Sequence, residues 1–152
     1  MAINYTDSIG FNKGAVAYPA VTDEISKIEV LLDFAVITAA RAAAGVAPFV
    51  ATNTLQVINI PPRSVIFSAG MVVLSAETIA PTATFNLGFT GDTPFAANVY
   101  GNLLATNAVG LQGAALTSPS FIGVADTIDI LFNVAVPRNA RLKIFAFVGN
   151  AG

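Results

Sequence analysis

Residues 54–75 read TLQVINIPPRSVIFSAGMVVLS, and the fold class turns on how this stretch is read. Leu55 to Ile60 and Ser64 to Leu74 are rich in Val, Ile and Phe, the residues that suit a pleated, half-buried surface. Pro61-Pro62 between them cannot donate to a ladder, and Pro62 steers its predecessor away from helix. The spacing predicts two strands joined by a proline corner, a hairpin against which the rest of the chain packs. In the second strand Val65, Phe67, Ala69, Met71 and Val73 share one face, and Ile66, Ser68, Gly70, Val72 and Leu74 the other. Both faces are largely apolar, as in a strand held between two layers or covered by a neighbouring subunit.

Working downstream, Thr84 to Phe89 alternates Phe85, Leu87 and Phe89 with Thr84, Asn86 and Gly88, which predicts a half-exposed strand closed by the turn Thr90-Gly91-Asp92-Thr93-Pro94. Residues 95–125 hold short apolar pairs among Ala, Gly, Asn, Ser and Thr. A structureless run of that length is unusual inside a domain, so a short strand is expected within Leu103 to Ala115. Ile128, Ile130, Phe132, Val134 and Val136 then alternate with smaller or polar residues. Pro137-Arg138-Asn139 turns the chain into Arg141 to Val148, which reads as a closing antiparallel hairpin.

Upstream, Val46 to Asn53 is a connector containing Pro48. Val21 to Gly45 admits two readings. Ile25, Ile28, Leu32, Ala35 and Ala39 fit one helical face, with Thr22 as N-cap and Gly45 as terminator. The alternation of Ile28, Val30, Leu32 and Phe34 with Lys27, Glu29 and Asp33 favours a strand over Ile25 to Phe34. The alanine-rich AVITAARAAAG then makes a short helix stopping at Gly45. Residues 1–20 show no period but carry Tyr5, Phe11 and Tyr18 as isolated aromatics, which suggests an extended N-terminal arm docked on a surface, its own or a neighbour's. Residues 21–152 form a single domain. Strands separated by Pro, Gly and Asn turns, without recurring helices, predict an all-β fold: an antiparallel jelly-roll-like β-sandwich with one short helix.

Composition narrows the function. Hydrophobic residues make up 55% of the 152 and charged ones 11%, against about 45–50% and about 25% in ordinary soluble domains. That is too little charge to cover a free monomer, so other protein chains are expected to cover part of the surface. Lys27, Glu29, Asp33 and Arg41 interrupt the most apolar region, and no run approaches the ~18 residues of a membrane helix. The net charge is −2 with scattered Lys and Arg, which gives no footprint for nucleic acid. The N-terminus lacks the pattern of a secretory signal, so synthesis in a cytoplasm is expected.

Cysteine and histidine are both absent, which excludes disulfides, thiolate or imidazole catalysis and zinc sites built on those ligands. Asp126 and Asp129 are candidates to share a cation, with Asp92 in a Gly turn, but no loop has calcium-binding spacing and turn capping is the expected role. Asp33 is expected to pair with a backbone amide or with an arginine such as Arg41. Ser64, Ser68 and Ser75 have no activating partner, and Gly88-Phe89-Thr90-Gly91-Asp92 is no phosphate loop. No catalytic residue, metal, cofactor or small-molecule substrate is expected, and the chain is not expected to be an enzyme.

Four segments together, IEVLLDFAVITAARAAAG, ATNTLQVINIPPRSVIFSAGMVVLSAET, ATFNLGFTGDTPF and ADTIDILFNVAVPRNARLKIFAFV, run from Ile28 to Val148, within a similarity that covers roughly Ile25 to Val148. This pattern resembles small structural proteins of tailed bacteriophages, notably the capsid decoration or cement proteins of cyanobacterial and marine phages. The resemblance implies a jelly-roll-like body on the outer surface of the virion head, bridging neighbouring copies of the major capsid protein as a homotrimer. It makes Tyr5, Phe11 and Tyr18 anchors on neighbours and Arg41 and Arg63 polar contacts. Two rivals stand beside it: a neck, tail or fibre component, and a carbohydrate-binding jelly roll in which Tyr100 would take part. The absence of Trp and the presence of only three Tyr weigh against the sugar reading.

Overall fold

The computed structural model describes residues 4–15, 25–89, 101–112 and 120–150. Its elements in order are β1 (Asn4–Tyr5), β2 (Gly14–Ala15), β3 (Ser26–Asp33), α1 (Phe34–Ala43), β4 (Thr54–Ile60), β5 (Ser64–Ser75), β6 (Thr84–Phe89), β7 (Gly101–Ala105), β8 (Gly110–Gln112), β9 (Ser120–Ile122), β10 (Asp126–Phe132) and β11 (Arg141–Asn150). They form two sheets. A five-stranded sheet runs β3-β11-β5-β8, with β9 also on β5, and a six-stranded sheet runs β1-β4-β10-β6-β7, with β2 also on β4. This is the all-β sandwich with one short helix that the sequence predicts, in the strand order of a jelly roll. The expected short strand within Leu103 to Ala115 is met by β7 and β8. The expected turn at 90–94, with Asp92, lies outside the described residues, as does Thr22.

Among the described strands, partners are nested around one consecutive pair, β6 and β7. β3 pairs with β11, β4 with β10, β5 with β8 and β9, and β6 with β7, all antiparallel. Two expectations are thereby corrected. β4 and β5 meet at the Pro61-Pro62 corner but lie in different sheets, so they form no hairpin. β10 and β11 are likewise divided between the sheets, and β10 ends at Phe132 instead of continuing to Val136. The cause is burial. Each of these strands carries an apolar face, and placing successive strands in facing sheets buries both faces at once, whereas a lone hairpin leaves them wet.

At the corner, Arg63 adopts φ 62°, a left-handed conformation that side chains rarely take. The Ser64 hydroxyl donates to the Pro61 carbonyl at 2.6 Å, closing the turn that Pro cannot close with an N–H. The faces of β5 also need correction. Its register against β11 shifts between Phe147 and Val148, which pair with Ser68 and Ile66. This bulge breaks strict alternation. Ile66 therefore joins Ala69, Met71 and Val73 in the core, where all four are fully buried.

The core lies between the sheets, with Val30 and Leu32 from β3, Leu55 and Val57 from β4, Ile128 and Ile130 from β10, and Leu142 and Ile144 from β11. An aromatic cluster closes one end. Phe132 lies 5.4 Å from Phe85, 5.2 Å from Phe49 and 6.1 Å from Phe34, which opens α1. Each such pair adds about 1 kcal/mol beyond area burial. The helix starts there because Asp33 Oδ1 accepts the N–H groups of Ala35 and Val36 at 3.1 and 3.2 Å. Asp33 is thus an N-cap and not a partner of Arg41. The helix ends before Gly45, at φ 67°, as the sequence predicts. β6, expected to be half-exposed, is covered on both faces: Asn86 and Gly88 are buried, and the Asn86 amide oxygen accepts from Asn133, in the crossover after β10, at 2.8 Å.

The crossovers converge on Glu77, which is 2% exposed. Its Oε1 accepts the N–H groups of Ile79 and Ala80, both at 2.9 Å, and its Oε2 those of Arg138, Asn139 and Ala140 at 2.7, 2.9 and 2.9 Å. The Glu77 N–H donates to the Thr106 carbonyl at 2.8 Å. One carboxylate thus ties the segment after β5 to the crossover between β10 and β11. Burial pushes its carboxyl up, but the amides of Asn139, Ala80, Ala140 and Arg138 together outweigh burial and hold it below its ordinary value.

Glu77→Gln should lower the unfolding free energy by about 3 kcal/mol, since an amide offers one acceptor where two were in use. Because the folded-state value lies below the ordinary 4.5, the carboxylate's stabilisation is complete above pH 4.5 and is lost as pH falls through the lowered value. Below pH 4.5 the urea midpoint of the native protein should therefore fall more steeply than that of the variant.

Candidate assembly interface

The described part of the arm runs along the edge of β4. Asn4 and Tyr5 pair in parallel with Thr54 and Leu55, and Gly14 and Ala15 with Ile58 and Asn59. Its seat is built around Arg41, which is 1% exposed. The guanidinium lies 4.0 Å from the centre of the Phe49 ring and 4.6 Å from that of Tyr5, and the two rings meet edge to face at 4.9 Å. Nη1 donates to both Asp7 oxygens at 2.9 and 3.1 Å, and Nε and Nη2 donate to the Ala47 carbonyl at 3.0 and 2.9 Å. A planar cation held by both oxygens of one carboxylate and flanked by two aromatic rings is an arrangement that makes burial of its charge tolerable.

The residues expected to touch neighbours are therefore placed differently from one another. Tyr5 and Phe11 are half-buried and pack against the chain's own core. Arg41 is inside, with its donors engaged within the chain. Arg63 is exposed at the proline corner, and Tyr18 lies outside the described residues, as does Tyr100.

A different surface offers itself to partners: the outer face of the five-stranded sheet. β11 carries two apolar faces, as β5 does. Leu142, Ile144, Ala146 and Val148 turn inward, while Phe145 and Phe147 turn outward beside Gly70 and Ser68 of β5. Phe67 lies over Gly149, where an added Cβ would come within 2.8 Å of its ring, so glycine leaves room for the ring at this position. Val72 stands opposite Leu111, and Val65 opposite Phe121. Leu111 and Phe121 are 62% and 65% exposed, and Leu74, further along β5, is exposed as well.

Charge gathers at the β3 side of this face. Lys27 and Lys143 both pair with Glu29, and Lys27 also stands 6.0 Å from the centre of Phe147. Hydrogen bonds from Lys27 and then Lys143 hold the Glu29 carboxyl below its ordinary value. An apolar centre with a charged border matches the anatomy of protein interfaces. The sequence carried a signal for it in the two apolar faces of 141–148. Leu111 and Phe121 lay in a stretch without period and gave none.

Other chemistry is sparse. Among the described residues, no group of three or more acidic side chains is placed to hold a metal ion. Asp126 accepts the Thr127 N–H at 2.7 Å and Asp129 the Thr127 hydroxyl at 2.6 Å, as turn and strand residues do. Among the described residues, no helix is long and apolar enough to cross a membrane.

No protein-family model and no curated protein matches the chain. Solved structures do share its fold. A chain of the acidic stable capsid structure of Helicobacter pylori bacteriophage KHP30 matches with a TM-score of 0.60 at 11% identity, over 87% of this chain and 92% of that one. A chain of the capsid of Ralstonia phage GP4 matches at 0.59 and 12%, over 90% of each. One from the cyanophage Pam1 capsid asymmetric unit matches at 0.53 and 14%, over 95% of this chain and 97% of that one. With both shares near nine tenths or above, the matched chains are close to this one in length.

Asp7→Asn should lower the unfolding free energy by about 3 kcal/mol, because it leaves the buried Arg41 charge without its counter-ion. Chemical denaturation measures the loss, and faster cleavage within residues 4–15 by added protease would show that the arm has loosened.

Proposed function

We propose that this chain is a structural protein of a phage virion, and within it a capsid decoration or cement protein that sits on the outer surface of the head and bridges neighbouring major capsid proteins. The observation that carries this reading is the shared fold, along nearly the whole length of both partners, with chains of similar size in phage capsid structures. The physical character of the chain agrees with it. A cement protein needs a stiff body and an adhesive surface instead of a reactive centre. The jelly roll supplies the first, and the apolar outer face with Leu111, Phe121 and Leu74 exposed supplies the second. Several weak contacts of this kind, linked through one rigid body and repeated over a shell, give avidity beyond any single contact.

Among the residues expected to touch neighbours, Arg63, which is exposed, and Tyr18, which lies outside the described residues, remain contact candidates. Tyr5, Phe11 and Arg41 instead hold the described part of the arm on its own body.

Quantitative mass spectrometry of purified virions should find this protein in copy number comparable with the major shell protein. A few copies per particle would move it to the neck, tail or fibre, and absence would overturn the virion reading. A Leu111→Asp, Phe121→Asp double variant should keep the thermal midpoint of the native protein, since both side chains are exposed, while its binding to shells lacking the native protein falls at least about tenfold.

A further inference from the structure

The strand β3 forms one edge of the five-stranded sheet, and it differs from every other described edge strand. It is eight residues long and pairs with β11 from Ser26 to Asp33 without a register shift. The other edges are blunt. β1 and β2 have two residues each, β8 and β9 three each, and β7 five with an irregular register. Natural sheets guard their edges by shortness, proline, bulges or unpaired charge, and a long regular edge is a template for another strand. β3 has no proline and no bulge, and its one lysine, Lys27, is neutralised by Glu29. Its inner side is held in place by the arm: Gly14 lies so close to Ile28 and Val30 that a Cβ there would come within 2.9 and 2.7 Å of their methyls.

We propose that two copies of this chain join edge to edge through β3, antiparallel about a two-fold axis at Ile28. The occupant follows from the order of side chains along the strand. Residues opposite each other in an antiparallel pair share a face, so each possible centre makes a definite set of pairs. A centre at Lys27 sets lysine against lysine, and a centre at Glu29 sets glutamate against glutamate. A centre at Val30 requires Asp33, which is already engaged as the cap of α1. A centre at Ile28 puts Lys27 opposite Glu29 twice, and Ile25 opposite Leu31 twice. Ile25 and Leu31 are 57% and 40% exposed in the single chain, and the pairing covers them. The contact is isologous and closed, so it stops at two copies. It also makes the five-stranded sheets of the two copies continuous, with both aromatic outer faces on the same side. This two-fold unit stands in place of the homotrimer expected from the sequence, and it holds whether or not the chain is a cement protein.

The test is the mass of the purified protein in solution, by light scattering after size exclusion and by sedimentation equilibrium. The native chain should form a dimer of two 15.6 kDa copies. Lys27→Glu and Glu29→Lys, each at an exposed position, should raise the dissociation constant about tenfold or more by setting like charges opposite one another twice. The double swap Lys27→Glu, Glu29→Lys restores opposite pairs and should return the constant to within about threefold of native. Circular dichroism shows whether each variant keeps its β spectrum. A native monomer or trimer at high micromolar concentration overturns the proposal, as do single variants that dimerise like the native chain or a double swap that fails to recover. Virion abundance is a separate measurement, so a failed dimer and a failed virion role are told apart.

Discussion

The Glu77 carboxylate accepts five backbone N–H groups from two crossovers, and the jelly roll depends on this kind of closure. Nested pairing requires the chain to pass repeatedly from one sheet to the other. Each passage takes backbone groups out of the ladders, and those groups cost free energy if they are buried unpaired. Side chains at the corners satisfy them. Ser64 serves the Pro61 carbonyl, Asp33 the first amides of α1, and the Thr106 hydroxyl the Ala83 carbonyl. Glu77 does so for the largest set, and as an anion it makes the stronger, charge-assisted bonds.

Two strands with two apolar faces, β5 and β11, lie side by side in the middle of the five-stranded sheet. Their inner faces build the core with the other sheet. Their outer faces leave Phe67, Phe145 and Phe147 half-covered and extend to the exposed Leu111 and Phe121. A chain with 11% charged residues thus gathers part of its apolar excess on this face, while Val36, Val50, Ile79 and Val134 are exposed elsewhere. That concentration favours association with specific partners over solvation as a monomer. The arm, in its described part, does the opposite work: it uses Tyr5, Phe11 and Asp7 on its own chain and seals the edge of β4.

Much of the candidate surface was legible only in part. The two apolar faces of residues 64–75 pointed to coverage by a second layer or another subunit, and both kinds of surface are present. Yet strict alternation misassigned Ile66, because the bulge opposite Phe147 and Val148 moves it to the inner face. The resemblance made Arg41 a polar contact on neighbours, whereas its side chain is buried within the chain. Its burial arises from Asp7 and Tyr5, far from it in sequence, and from Phe49 in the connector after α1. Glu77 stood out little in the sequence, since three of the amides it accepts come from the distant residues 138–140.

By itself the sequence determined the class of the fold and the position of its elements: β3 by alternation, α1 by its alanine run and Gly45, β4 and β5 by the proline corner. Each of these depends on residues a few places apart, where period, propensity and the missing N–H of proline act directly. Only the tertiary structure decided which strands are neighbours. Alternation states that a strand has a face to bury, but it is silent on what buries it. β4 and β5, or β10 and β11, adjacent in sequence, separate into opposite sheets because that arrangement buries both apolar faces of the pair together.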